Sequence, residues 1–349
     1  MHKGGSHKKA QYRGEAPCLN NNRYRTPLHR RDRKIRFDFK GARFHVSSMT
    51  DITADTPIPF AGDTIDHAEH GRDPEHLQAL LGEPSARAIL LFKGRIGIGD
   101  GGRPHRVHPT DLIGHDLMAP GPIFLGFEGK RPIFAFSIAK PEEFLPEDNF
   151  VSLRGIGGNL RNEDLALAGR AKSLFAWHHV EKHCVSCGAK TVARDGGIMQ
   201  KCTGCGTESF PRVNPVAIML VTDGDRVLLG RGIGWPEKFM SALAGFVSPG
   251  ESVEDAAQRE VMEEAGIKTK NPRYIFSQPW PFPAQLMIGL ILEAVTTNIS
   301  IDPKELEDAR WYTREEVIAV LENRGEAFLC PPRQTIAHQL LRHWVSGTD

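Results

Sequence analysis

Apolar residues along this chain fall into short unbroken runs and into stripes at helical spacing, and the two patterns predict different elements. Between about Ala54 and Lys140 the runs Ala88–Phe92, Pro122–Gly126 and Ile133–Ile138 predict the strands of a small mixed domain. From about Asn162 to His179 the positions Leu165, Leu167, Ala168, Ala171, Leu174, Phe175 and Trp177 make the apolar stripe of a helix. Farther on, Pro215–Val221 and Arg226–Gly230 flank Asp223-Gly224-Asp225, a hairpin signal. The stretch Ser252–Ala265 has alanines, no proline and Gly266 just past its end, so it predicts a helix with its stop signal in place. In Ser277–Pro283 three prolines alternate with two aromatics. Each proline fixes its own φ and restrains its predecessor, which predicts a stiff loop, neither helix nor central strand, that either presents aromatic faces or tucks them into the core.

Composition narrows the class. A chain of 349 residues holds more than one core, and its formal net charge of +1 gives no global pull toward nucleic acid or membrane. The sequence has no apolar run of about 18 residues and no apolar signal-peptide centre near its start, so the expectation is a cytoplasmic protein with no membrane span. Residues 1–50 read as a disordered basic tail, with the cluster His29-Arg30-Arg31-Asp32-Arg33-Lys34 and few aliphatics. Such a tail can contact RNA or serve in targeting; the plainer reading makes Met49 the working start.

Cysteine spacing adds a metal candidate. Cys184 and Cys187, then Cys202 and Cys205, form two CxxC turns separated by fourteen residues. Four thiolates so arranged close a tetrahedron around Zn²⁺ with no open position, a structural site, and two disulfides are the rival reading. His178, His179 and His183 have no useful ligand spacing and read as surface or helix-end residues. Cys18 and Cys330 are left as free thiols.

The strongest chemical signal lies on the helix after Ser252. Glu260 and Glu264 stand at i and i+4 with Glu263 at the edge of the same stripe, a like-charge crowd that a hard divalent cation would relieve. From Gly245 through Glu251, Arg259, Glu260, Val261, Glu263, Glu264 and Gly266 to Ile267, all nine fixed positions match the Nudix box, so the segment resembles that of the Nudix hydrolases. The resemblance implies that Glu251 and Arg259 brace the loop against the helix, and that Glu260, Glu263 and Glu264 bind Mg²⁺ or Mn²⁺ and activate water. It also implies that Phe246 stacks on a substrate base, the alternative being a core Phe beneath the loop.

The run Ser277-Gln278-Pro279-Trp280-Pro281-Phe282-Pro283 is similar to the SQPWPFPxS signature of the NADH pyrophosphatase branch, with Gln285 where that pattern has Ser. This implies hydrolysis of NADH or NAD⁺ to a nicotinamide mononucleotide and AMP, with Ser277, Gln278, Trp280, Phe282 and Gln285 in substrate binding. Removal of NAD caps from RNA is a close variant, the same bond cut in a larger substrate. Glu305 matches a distant metal ligand of the family, and Glu307 is the weaker candidate; Arg212 and Arg231 are further candidates for phosphate contacts. A zinc ribbon before the catalytic domain fits the same branch. The expected architecture is α+β: a tail (1–50), an N-terminal mixed α/β domain (51–160), a helix and zinc ribbon (161–212), and a C-terminal Nudix α/β/α sandwich with mixed sheet (213–349), assembled as a homodimer. The second class of function carried forward is a non-catalytic Nudix module that senses a nucleotide or binds RNA.

Overall fold

The unbroken apolar runs become strands covered on both faces. In the computed structural model, which describes residues 57–62, 64–156 and 159–347, the first elements are β1 (Ile65–Asp66), α1 (Pro74–Leu81), β2 (Arg87–Phe92), β3 (Arg95–Gly97), β4 (Arg106–Val107), β5 (Ile123–Glu128), β6 (Arg131–Ser137), β7 (Phe150–Val151), α2 (Leu153–Ile156) and α3 (Asn162–Val180). The basic tail and Cys18 lie outside the described residues. The strands form one sheet in the order β1-β5-β6-β2-β3-β7, with β4 also paired to β2 and with β2 and β6 parallel. Alternate residues of β2 serve opposite cores: Ile89 and Leu91 pack toward α3, whereas Ala88, Leu90 and Phe92 pack on the other side with Leu80 of α1. A strand buried on both faces needs no polar alternation, which is why these segments read as continuous runs.

The helix stripe read from Asn162 is α3, and it buries Leu165, Leu167, Ala168, Ala171 and Leu174 in the core of this N-terminal sheet. The sequence reading groups it with the ribbon; its packing joins it to the preceding sheet. The ribbon itself is three short strands, β8 (Thr191–Arg194), β9 (Met199–Cys202) and β10 (Glu208–Ser209), in the order β10-β9-β8. Its β8–β9 turn sits against the N-terminal sheet, where a Cβ on Gly196 would come within 2.9 Å of Phe124 and one on Gly197 within 3.0 Å of Ile123. His178 takes the helix-end place expected for it, in the last turn of α3, but is not at the surface. It is buried, its Nε2–H donating to the Gly197 carbonyl at 2.7 Å while Nδ1 accepts from Gln200 at 3.0 Å, and burial lowers its pKa so that the ring is neutral.

The C-terminal sheet contains β11 (Asn214–Asp223), β12 (Arg226–Gly232), β13 (Leu243–Phe246), β14 (Thr269–Trp280), β15 (Gln285–Ala294) and β16 (Leu306–Thr313). Its order is β14-β15-β11-β12-β16, with β13 also on β11; β11 and β15 run parallel and the other pairs antiparallel, so the sheet is mixed. Helix α4 (Val253–Ala265) covers one face over Ala217, Met219 and Val221. Helices α5 (Arg314–Leu321) and α6 (Ile336–Ser346) cover the other over Ile218 and Leu220, giving the α/β/α sandwich.

One element differs from the sequence expectation. Ser277–Trp280 does not form a loop but ends β14, paired residue by residue with Gln285–Ile288. Proline is tolerated because β14 is the outer strand, where a missing N–H on the open side breaks no ladder. The turn is confined to Pro281–Ala284.

Candidate active site

Three carboxylates from two segments converge at the base of α4. The helix is fixed at both ends: Ser252 caps its start by accepting from the Asp255 amide at 3.1 Å, and Gly266 takes the left-handed conformation at φ 68° that ends it. One turn apart on its inner side, Glu260 and Glu264 meet Glu305 from the segment before β16, with carboxylate oxygens of the three all within 4.8 Å of one another. Glu264 is 6% exposed. Its carboxyl is pushed up to about 8, first by burial and then by the charges of Glu260 and Glu305, against the pull of the Ala244 N–H. Crowded acids that resist ionisation in a buried position form a donor set suited to a hard divalent cation, whose charge would offset both effects.

Arg259 holds the frame. Its guanidinium donates to Glu251 at 2.6 and 2.9 Å, to Glu260 at 2.8 Å, to Glu263 at 2.9 Å and to the Phe246 carbonyl at 3.0 Å. Glu251 also accepts from the Ser248 amide at 3.0 Å, and its pKa falls to about 2 through Arg259 first and that amide second. The bracing pair expected from the sequence is therefore one side-chain network tying loop to helix. Glu263 is about half exposed and turned to Arg259, and it is not among the three convergent carboxylates. Glu307 is spent differently: it pairs with Arg231 and accepts from the Gly234 amide at 3.0 Å.

Strand register distributes the remaining candidates. Phe246, Val216, Met287 and Gln278 lie in one row across β13, β11, β15 and β14, and Gln285 pairs with Trp280 two residues along. Side chains in a row share a face, so Phe246, Gln278, Trp280 and Gln285 are on the α6 side and Ser277 on the α4 side. Phe246 is 55% exposed at its strand end, open to a planar ligand. Gln278 is 0% exposed. Its amide donates to the Pro59 and Gln334 carbonyls at 3.0 and 2.9 Å and accepts from the Ile336 amide at 2.8 Å, fastening the start of α6 to the N-terminal unit. Trp280 and Phe282 are half-buried, edge-on to Phe60 and packed on the N-terminal core. Of the five residues expected from the signature, Gln285 keeps a partly exposed amide with no hydrogen bond among the described residues.

The four ribbon cysteines also converge, with ligand atoms all within 4.8 Å. Backbone N–H groups point at the sulfurs, Ser186 to Cys184 at 3.4 Å, and Gly204 and Cys205 to Cys202 at 3.3 and 3.4 Å. The CxxC turns are thus shaped around thiolate acceptors, and none of the five described cysteines is in a disulfide.

Comparison with known proteins agrees with this arrangement. Residues 211–330 match the NUDIX domain, and residues 86–177 match the NADH pyrophosphatase-like rudimentary NUDIX domain. The chain is 36% identical over 222 residues to the NAD-capped RNA hydrolase NudC of Stutzerimonas stutzeri (64% of this chain, 76% of that protein). It is 35% identical over 282 residues to NudC of Mycobacterium bovis (77% and 86%). The chain belongs to the Nudix hydrolase family. Within it the paired catalytic and rudimentary domains place it in the NADH pyrophosphatase branch. It is also 44% identical over 197 residues to the NAD-capped RNA hydrolase NUDT12 of Homo sapiens (53% of this chain), and that match spans 43% of the relative.

Proposed function

We propose that this chain hydrolyses the pyrophosphate bond of NADH, NAD⁺ and related dinucleotides, including the NAD cap of RNA. The observation that carries the reading is the convergence of Glu260, Glu264 and Glu305, joined to sequence likeness with proteins named NAD-capped RNA hydrolase. Glu260, Glu264 and Glu305 would hold Mg²⁺ or Mn²⁺, with Glu263 within reach of the same helix edge; the bound ion would shield the pyrophosphate charge and acidify an attacking water. The chain's own residues do the rest. Arg259 fixes the loop and the helix so that the carboxylates cannot splay, and Phe246 with Gln285 offers a base-binding wall on the α6 side. The water oxygen bonds to one phosphorus, the bridging P–O bond breaks, the water proton passes to a carboxylate of the set, and two mononucleotides leave.

The ribbon is read as a structural Zn²⁺ site with all four positions filled by Cys184, Cys187, Cys202 and Cys205. A cytoplasmic setting and a homodimer complete the proposal; the free thiols support the first, and the exposed Ile113 and Met118 offer the second a surface to cover. The test is a parallel assay of the purified chain with Mg²⁺ or Mn²⁺ on NADH, NAD⁺, ADP-ribose, diadenosine polyphosphates and NAD-capped RNA. Release of mononucleotides from the nicotinamide substrates in preference to the others is expected. Preference for ADP-ribose or the diadenosine compounds would overturn the substrate assignment.

A further inference from the structure

Two cations stand over one ring at the junction of the two sheets without a carboxylate between them. The Arg154 guanidinium lies 4.5 Å from the centroid of Phe282 and 6.0 Å from that of Trp280, and the Lys172 ammonium lies 4.9 Å from the same Phe282. Lys172 spends one proton on the Pro281 carbonyl at 2.7 Å. The Arg154 guanidinium donates no hydrogen bond to the described residues, and neither cation has an acidic partner among them. Both side chains are half-buried, and burial with the neighbouring Arg154 brings the Lys172 ammonium down to about 8. Like charges held together at partial burial cost stability unless an anion joins them. The Arg154 donors are not sealed in: its guanidinium makes no hydrogen bond among the described residues, yet none of its nitrogens is among the buried, unpaired atoms.

We propose that Arg154 and Lys172 form an anion site that takes a backbone phosphate of the polynucleotide following an NAD-type cap. This rests on the assignment of Glu260, Glu264 and Glu305 as a dinucleotide pyrophosphatase centre. Register supplies the second argument. Trp280 lies on the same face of the sheet as Phe246, three strands across and two residues along, roughly 16 Å away at ordinary strand spacing. A single nucleotide stacked on Phe246 does not span that distance, whereas a chain continuing from it across Gln285 does. Cations beside aromatic rings are the ordinary means by which single strands are held without sequence preference. The site would therefore separate capped RNA from free dinucleotide, which has no phosphate to place there.

The test compares kcat/KM on NADH and on an NAD-capped oligoribonucleotide for the wild type, Arg154→Met, Lys172→Met and the charge-retaining Lys172→Arg. The Met variants should leave NADH turnover near the wild-type value and raise KM for the capped oligonucleotide roughly tenfold at low salt. The log–log salt dependence should become shallower by about 0.7 for each phosphate no longer neutralised, with Lys172→Arg close to wild type. Equal losses on both substrates, or none on either, would overturn the proposal. So would variants that change only the oligomeric state by light scattering, which would make the anion a carboxylate of a second copy. A wild type inactive on both substrates would sink the catalytic reading instead. In that case, or if a Met variant fails to fold, fluorescence anisotropy of an uncapped oligonucleotide with wild type and Arg154→Gln decides the site: undiminished binding by Arg154→Gln refutes it.

Discussion

Gly245 has no side chain because the carboxyl group of Glu260 occupies the space where one would be: a Cβ on Gly245 would lie 1.8 Å from the Glu260 carboxyl carbon. The first fixed position of the box is thus a packing requirement imposed by a metal-binding candidate on the neighbouring helix. Gly245→Ala should displace Glu260 from Glu264 and Glu305, and misplacement of about 1 Å at a catalytic group costs on the order of 10²-fold in rate. The check is kcat together with Mn²⁺ affinity by calorimetry. A variant with both within a few-fold of wild type would show that Glu260 is free to work from another position.

Gln278 fastens α6 to the N-terminal unit, and its replacement separates that role from substrate binding. Gln278→Ala leaves the Ile336 amide and the Pro59 and Gln334 carbonyls without their partner in a buried place. The expected cost is about 2–4 kcal/mol of stability by denaturant titration, with KM for NADH little changed. A raised KM at unchanged stability would return Gln278 to the substrate site.

The raised pKa of Glu264 sets the sign of a pH effect. Unfolded, its carboxyl ionises near about 4.3; folded and metal-free it keeps its proton up to about 8. The folded state then binds the extra proton, so the stability from this group is complete below the unfolded value and is lost as pH rises through 8. His178 and His338 are both lowered by burial and act the opposite way at lower pH, so the useful window is about 6.5 to 8. With a chelator present, wild type should lose thermal stability relative to Glu264→Gln across that window, and added Mn²⁺ should restore it. Parallel curves for the two proteins would place the proton elsewhere.

Much of the fold and the site was legible in the sequence, and the reasons are physical. The i, i+4 glutamates follow from helix geometry, the Glu251–Arg259 brace is what the resemblance to the Nudix box implies, and the paired CxxC turns leave few arrangements open. Three of the seven strands of the N-terminal sheet, β2, β5 and β6, were visible because burial on both faces makes them unbroken apolar runs, whereas β1, β3, β4 and β7 are two or three residues long and too short to leave a pattern. Ser277–Trp280 misled because proline excludes a central strand but not an outer one, and edge position is a property of the assembled sheet. The partners of His178, Gln278, Arg154 and Lys172 come from segments far away in the chain, and no local spacing announces them.

The ribbon docks through its β8–β9 turn and His178, so losing its metal should be felt beyond the ribbon. Cys202→Ser should lower zinc content from about one ion per chain and reduce the thermal midpoint of the whole protein, with kcat of the remaining folded fraction preserved. Zinc content near zero in native wild type would end the structural-site reading.

The central claim, metal-dependent hydrolysis at Glu260, Glu264 and Glu305, is tested most directly by chromatographic separation of the products formed from NADH by wild type and Glu264→Gln, each with Mg²⁺ or Mn²⁺ and with a chelator. The account predicts reduced nicotinamide mononucleotide and AMP in equal amounts from metal-loaded wild type only, with turnover by Glu264→Gln lower by on the order of 10²-fold or more. Intact NADH after incubation with metal-loaded wild type, or undiminished turnover by Glu264→Gln, would contradict it.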